Sequence, residues 1–229
     1  MQTFLDSPYF SEMVEISAEL GITGWFEGSA GNLSILLSGH EVRDYLSGAS
    51  LGQRVVLEPA VPGLDGRYLL ITASGARIKR VAKVPEETLG LLEIVDNGTA
   101  WRLVWGFSTD ASPSSELMTH LVAHEARLAE TGNSFALLHC HPPYSIAMSF
   151  TSYANGRDFS RMIWGYHAEG VAVFPEGIGV VPLTLPGGDV LAKRTAELIK
   201  KHRLIVWAKH GVISCGSSLD EAMRLVEYA

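Results

Sequence analysis

Residues 137–143 read LLHCHPP, an apolar run carrying two histidines one residue apart. Side chains alternate along an extended strand, so His139 and His141 project from one face and set two imidazoles side by side. Such a pair can present two nitrogen ligands to a zinc ion. It equally suits two hydrogen-bonded core histidines. His210, in WAKHGVISCG, adds a third imidazole at the end of another apolar strand, beside a glycine that allows close backbone approach. Three neutral imidazoles with an open fourth position describe a catalytic rather than a structural metal site.

An acid is the next requirement. Glu116, in SPSSELMTH, stands at the start of a predicted helix whose exposed amides Ser114 or Ser115 can cap. A carboxylate there also favours the helix dipole, and local sequence supports that plainer role. Glu116, His120 and His124 share a helical face at i, i+4 and i+8 and form a rival ligand set. Because His124 falls close to the apolar stripe, both of these histidines are read as structural. Three small-residue stretches, GSAGNLS (28–34), TASGAR (72–77) and SPSSE (112–116), join close backbone approach to hydroxyl or amide donors and could hold a phosphate. Each also reads as an ordinary turn.

The elements that must position these residues follow from periodicity. Ser7-Pro8 opens a helix that Gly21 closes. Strands are predicted at NLSILL, QRVVLE, RYLLIT and WRLVWG, and a helix at SSELMTHLVAHEARLAETG, ended by Gly132. From residue 135 the pattern alternates: strand FALLHCH, a short helix from Pro142 to Phe150, strand GVAVF, helix DVLAKRTAELIKKH, strand LIVWAKHGVISC and helix SLDEAMRLVEYA. Helices covering a largely buried sheet make this a layered α/β chain.

With 229 residues, 47% of them hydrophobic, one substantial core is expected. The net charge of −7 and the absence of basic runs leave nothing to track a phosphate backbone, which argues against nucleic acid and for a small-molecule partner. The N-terminus lacks a basic start and apolar centre, and no stretch approaches the roughly 20 apolar residues of a membrane span. Two cysteines, Cys140 and Cys215, are read as small buried residues suited to a reducing compartment, so a cytoplasmic protein is expected. The last helix runs to Ala229 without a stop signal, from which a further C-terminal segment is expected.

In order, AGNLS, ITASG, SSE opening a helix, HCHP and a distant KHG resemble the class II aldolase/adducin family of zinc-dependent sugar-phosphate lyases and epimerases. The resemblance runs from GWFEGSAGN to the end of the chain. It implies a single layered α/β/α domain over residues 1–229 with a central, mainly antiparallel sheet. It implies one Zn2+ per subunit on His139, His141 and His210, with Glu116 as the acid/base beside it. Ser29, Asn32, Ser74, Gly75 and Ser115 fall on phosphate-binding positions, and Glu169 on a second acidic position. Ser29 departs from the pattern, offering a hydroxyl where a relative has an amide. The activity implied is cleavage of a ketose 1-phosphate to dihydroxyacetone phosphate and an aldehyde, in a homotetramer. The alternatives are a 4-epimerase or a related aldolase with the same site, and a non-catalytic adducin-like module. The presence of all three histidines and Glu116 argues against the module, because a scaffold has no need of buried imidazoles around a cation.

Overall fold

Alternation along the strands decides which side chains meet which helices. The computed structural model describes residues 3–46, 51–108, 111–133, 136–151, 154–166 and 168–229. Among them the strands β1 (Asn32–Leu37), β2 (Arg54–Val56), β3 (Tyr68–Thr72), β4 (Leu89–Val95), β5 (Ala100–Gly106), β6 (Ala136–Cys140), β7 (Gly179–Val181), β8 (Leu204–Trp207) and β9 (Gly211–Gly216) form one sheet. Its order is β2-β5-β4-β3-β1-β6-β9-β8-β7, antiparallel throughout except for β7 against β8.

On β1, Leu33, Ile35 and Leu37 pack with Met13, Ile16 and Leu20 of the Pro8–Thr23 helix and with Leu219 and Leu225 of the Leu219–Glu227 helix. The intervening Leu36 joins a second core with Leu121 of the Leu117–Thr131 helix. A third core unites Ala123 of that helix with Leu191 and Ile199 of the Asp189–Ile199 helix and with Leu137, Ile205 and Ile213 of the sheet. Helices therefore cover both faces of a mainly antiparallel sheet, the layered architecture expected. No helix among the described residues is long and apolar enough to cross a membrane. Cys140 and Cys215 are both buried and free, as read.

Several elements differ from the sequence expectation. The first helix passes through Gly21, which packs against Lys79, and ends at Gly24 in the left-handed conformation (φ 79°). Strand β4 went unpredicted, although the Asp96-Asn97-Gly98 turn after it, with φ of 58°, 57° and 75°, carries the hairpin signature of those residue types. The predicted strand GVAVF forms one helical turn, Gly170–Val173, because Val173 and Phe174 return their amides to the Glu169 and Gly170 carbonyls. A short apolar run does not by itself tell strand from buried helix. LIVWAKHGVISC is two strands joined by a turn at 208–210, and the Gly156–Tyr166 helix and β7 were also unpredicted. Phe135, the first residue of the predicted FALLHCH strand, lies outside the described residues.

Leu33 lies on the central strand β1 and is fully buried. Leu33→Ala should lower unfolding free energy by about 2–5 kcal/mol, the range for emptying a packed leucine site. A shift of the urea midpoint with unchanged slope would show it.

Candidate active site

The register of the central strands builds the site. Asn32 at the start of β1 lies across from His139 on β6, and β6 in turn pairs with β9, which begins one residue after His210. His141 follows the end of β6, and its amide donates to the Trp25 carbonyl at 2.8 Å, pinning the loop that carries Glu27. The His210 turn is tight. Lys209 takes φ 63°, an uncommon conformation for a side chain other than glycine or asparagine, held by its amide donating to Ser149 Oγ at 2.7 Å. Gly211 has a steric role: a Cβ there would lie 2.5 Å from the Cys140 carbonyl oxygen, 2.7 Å from His141 Cδ2 and 3.0 Å from His139 Cε1.

The three imidazoles converge, each offering a ring nitrogen, with these nitrogens all within 4.8 Å of one another. Trp207 floors the cluster, its ring 4.4 Å from that of His139 and stacked 5.2 Å from that of His210, with the indole N–H donating to Thr195 Oγ1. Their outward partners place a proton on Nδ1 of two of the rings. His139 Nδ1 lies 2.8 Å from the Val212 carbonyl oxygen and His141 Nδ1 lies 2.7 Å from Glu27 Oε1. Both partners are acceptors, so both Nδ1 atoms carry the proton. His139 Nε2 is then the bare nitrogen of a neutral ring, and it faces His141 Nε2 at 3.3 Å. A cation answers that arrangement, and outward hydrogen bonds of this kind orient metal-binding histidines. Burial, reinforced by His210 and His141, holds His139 well below the usual imidazole range; burial also lowers His210. Neutral rings are the form that can ligate. His210 Nδ1 is buried with no hydrogen-bond partner among the described residues, so nothing there fixes its tautomer.

Glu116 sits at the N-cap of the Leu117–Thr131 helix, 5% exposed, instead of inside its first turn. Its own amide, not its carboxylate, is capped, by Ser114 Oγ at 3.2 Å. The carboxylate turns into the site, with Oε2 3.4 Å from His139 Nε2 and Oε1 3.9 Å from His210 Nε2. Ser29, Asn32, Ser74, Gly75 and Ser115 line the same cavity of about 180 Å³ as Glu116 and the three histidines. A bridge between Ala73 and Pro113 and the Ser74 amide on the Ser112 carbonyl hold two of the small-residue stretches together. Glu169 is the exception. It is exposed, precedes the Gly170–Val173 turn and does not line this cavity.

The sequence reading missed Glu27, whose only mark is that it precedes GSAGN, and the full extent of the polar core behind Glu116. Asn32 Nδ2 donates to Glu116 Oε2 at 2.9 Å, and Asn32 Oδ1 meets His120 Nε2. Ser34 Oγ lies 2.6 Å from His120 Nδ1 and 2.8 Å from His124 Nε2. His120 and His124 are fully buried and lie outside the three-histidine cluster, as their structural reading anticipated. Burial pulls His120 down to about 4 and His124 well below its ordinary value.

Residues 11–229 match the class II aldolase and adducin N-terminal domain family. The chain belongs to this family. It is 36% identical over 225 residues to the rhamnulose-1-phosphate aldolase of Listeria innocua, covering 98% of this chain and 82% of that protein. It is 33% identical over 231 residues to the rhamnulose-1-phosphate aldolase of Pectobacterium atrosepticum, covering 100% and 84%. A sugar-phosphate aldolase from Thermotoga maritima superposes with a TM-score of 0.79 at 27% identity over 96% of this chain and 89% of that one. An L-fuculose 1-phosphate aldolase, at 20% identity and a TM-score of 0.64 over 97% and 82%, shares the fold. The chain is an enzyme of the class II aldolase type, with a histidine group able to hold a metal ion.

Two outcomes are expected. Gly211→Ala should displace the His139 and His141 rings and weaken divalent metal binding about 10- to 100-fold, read by competition with a chromophoric chelator. Second, an unfolded His120 takes up a proton below its ordinary 6.5, whereas the folded one does so only near 4. Its contribution is therefore intact above pH 6.5 and is lost as pH falls from there toward 4, by about 3 kcal/mol. Urea midpoints measured from pH 7.5 to 4.5 should fall less steeply for His120→Gln than for the unaltered chain.

Proposed function

We propose that the chain is a zinc-dependent lyase that cleaves L-rhamnulose 1-phosphate to dihydroxyacetone phosphate and L-lactaldehyde. The observation that carries this is the convergence of three imidazoles and a buried carboxylate on a cavity otherwise lined by hydroxyl, amide and glycine positions. The likeness to aldolases named for rhamnulose 1-phosphate supports the substrate. His139, His141 and His210 would hold the ion. Three neutral ligands leave zinc its full double charge, and when bound it supplies Lewis acidity toward the ketose oxygens.

Breaking the C3–C4 bond leaves the electron pair on the three-carbon fragment while the C4 hydroxyl gives its proton to solvent water to become the aldehyde, and solvent water supplies the proton that the Glu116 carboxylate passes on. Glu116 delivers a proton to C3 in cleavage and removes it in synthesis. Ser29, Asn32, Ser74, Gly75 and Ser115 bind the phosphate, fixing the ketose end so that C3 meets the carboxylate. Asn32 retains one amide hydrogen for this, since Nδ2 carries two and Glu116 takes one. Beside this cavity, and sharing His141 with it, lies a hollow of about 600 Å³ formed with Glu27, Pro143, Ile146, Ala147 and Phe150. Its apolar wall suits the methyl end of L-lactaldehyde, a group that a pentulose phosphate lacks.

The test is triose phosphate release from L-rhamnulose 1-phosphate, L-fuculose 1-phosphate and a pentulose 5-phosphate, with and without a chelator. Release from the first, abolished by chelation and restored by zinc, is expected. Preferred release from another substrate would reassign the specificity, and no release from any would remove the lyase. Glu116→Gln should keep its zinc and lose turnover by about 10²- to 10⁴-fold.

A further inference from the structure

Glu116 is the outer end of a polar chain that runs into an otherwise apolar interior. Ser34 shares a face of β1 with the core residue Leu36, and His120 and His124 flank Leu121 and Ala123 on their helix. Ser34, His120 and His124 are each 0% exposed. Burying three polar side chains is unfavourable unless their hydrogen bonds are made, and here they are made to one another and to Asn32.

The protons of this chain are fixed from one end. As a carboxylate, Glu116 only accepts, so Asn32 must present Nδ2 to it and Oδ1 to His120. His120 then donates from Nε2, which leaves Nδ1 bare and obliges Ser34 to donate its hydroxyl hydrogen there. Ser34 Oγ in turn accepts from His124 Nε2. Every N–H and O–H points toward Glu116, and aligned hydrogen bonds polarise one another. His124, like His120 and Ser34, is fully buried, and the ordered hydrogen bonds orient the Asn32 amide.

We infer that His120, locked by Ser34 and His124, is a positioning residue that holds the Asn32 amide with its N–H toward Glu116 Oε2 and thereby leaves Oε1 as the oxygen that exchanges the substrate proton. Oε1 has no hydrogen bond among the described residues, and His210 Nε2 lies 3.9 Å from it. Without His120 the Asn32 amide is free to turn its carbonyl to the carboxylate, which repels it. This inference rests on Glu116 being the acid/base of the proposed reaction.

The experiment compares steady-state cleavage of L-rhamnulose 1-phosphate by Ser34→Ala, His120→Phe, His120→Gln and Glu116→Gln, each in its zinc-loaded form. His120→Phe should lower kcat about 10- to 100-fold with zinc content kept and a smaller rise in KM, since Ser29, Ser74, Gly75 and Ser115 still hold the phosphate, and Ser34→Ala should lower kcat about 2- to 10-fold. His120→Gln should recover most of the loss, because its amide N–H can occupy the position of ring Nε2. Unchanged kcat in Ser34→Ala and His120→Phe, or a raised KM with kcat intact, would overturn the inference while an inactive Glu116→Gln left the acid/base standing. An active Glu116→Gln would remove the acid/base itself. Independently of any variant, nitrogen-15 spectra of the unaltered enzyme should show His120 and His124 protonated at Nε2; an Nδ1-protonated His120 would reverse the chain and refute it.

Discussion

Two imidazole nitrogens facing each other at 3.3 Å are the constraint on which the rest of the site depends. The Val212 carbonyl and the Glu27 carboxylate create it by claiming the Nδ1 hydrogens of His139 and His141. With a divalent cation between them and His210 they become ligands, and burial disfavours the charged forms of His139 and His210. The backbone is shaped to allow this crowding: Gly211 leaves space beside both rings, and Gly31 lets Phe26 and the His139 carbonyl approach where a Cβ would collide.

The site lies where the sheet is best buttressed. β1, β6 and β9 are interior strands of a long sheet, so His139 is fixed by pairing on both sides, with Asn32 on one and Ile213 on the other. The groups set on loops and turns, His141, Glu27 and His210, are each tied back by a backbone or side-chain hydrogen bond. Rigid placement matters because catalytic geometry tolerates little displacement. Glu116 is held in the same manner, from a helix terminus on one side and from Asn32 on the other, so its carboxylate faces the histidines.

Much of this was legible in the chain. His139 and His141 announced themselves by strand periodicity, and the small-residue stretches by composition; only their order linked them to His210 and Glu116. Local signals favoured a dipole-complementing Glu116, and that was reasonable: nothing near it in sequence shows that β1 brings Asn32 beneath it. Glu27 was invisible for the same reason, since its partner lies 114 residues away. The misread GVAVF and the undivided LIVWAKHGVISC were apolar runs whose length and hydrophobicity do not specify where the chain reverses. Ser34 reads as an interruption in NLSILL; only pairing with a helix over 80 residues distant gives it two histidine partners.

X-ray absorption at the zinc edge of the purified enzyme interrogates the metal centre most directly. Three imidazole nitrogens at about 2.0–2.1 Å, with the remaining coordination from oxygen, are the expected first coordination sphere. A sulfur ligand, fewer than three imidazoles, or a protein that binds no zinc when supplied with it would contradict the convergence of His139, His141 and His210 on one ion.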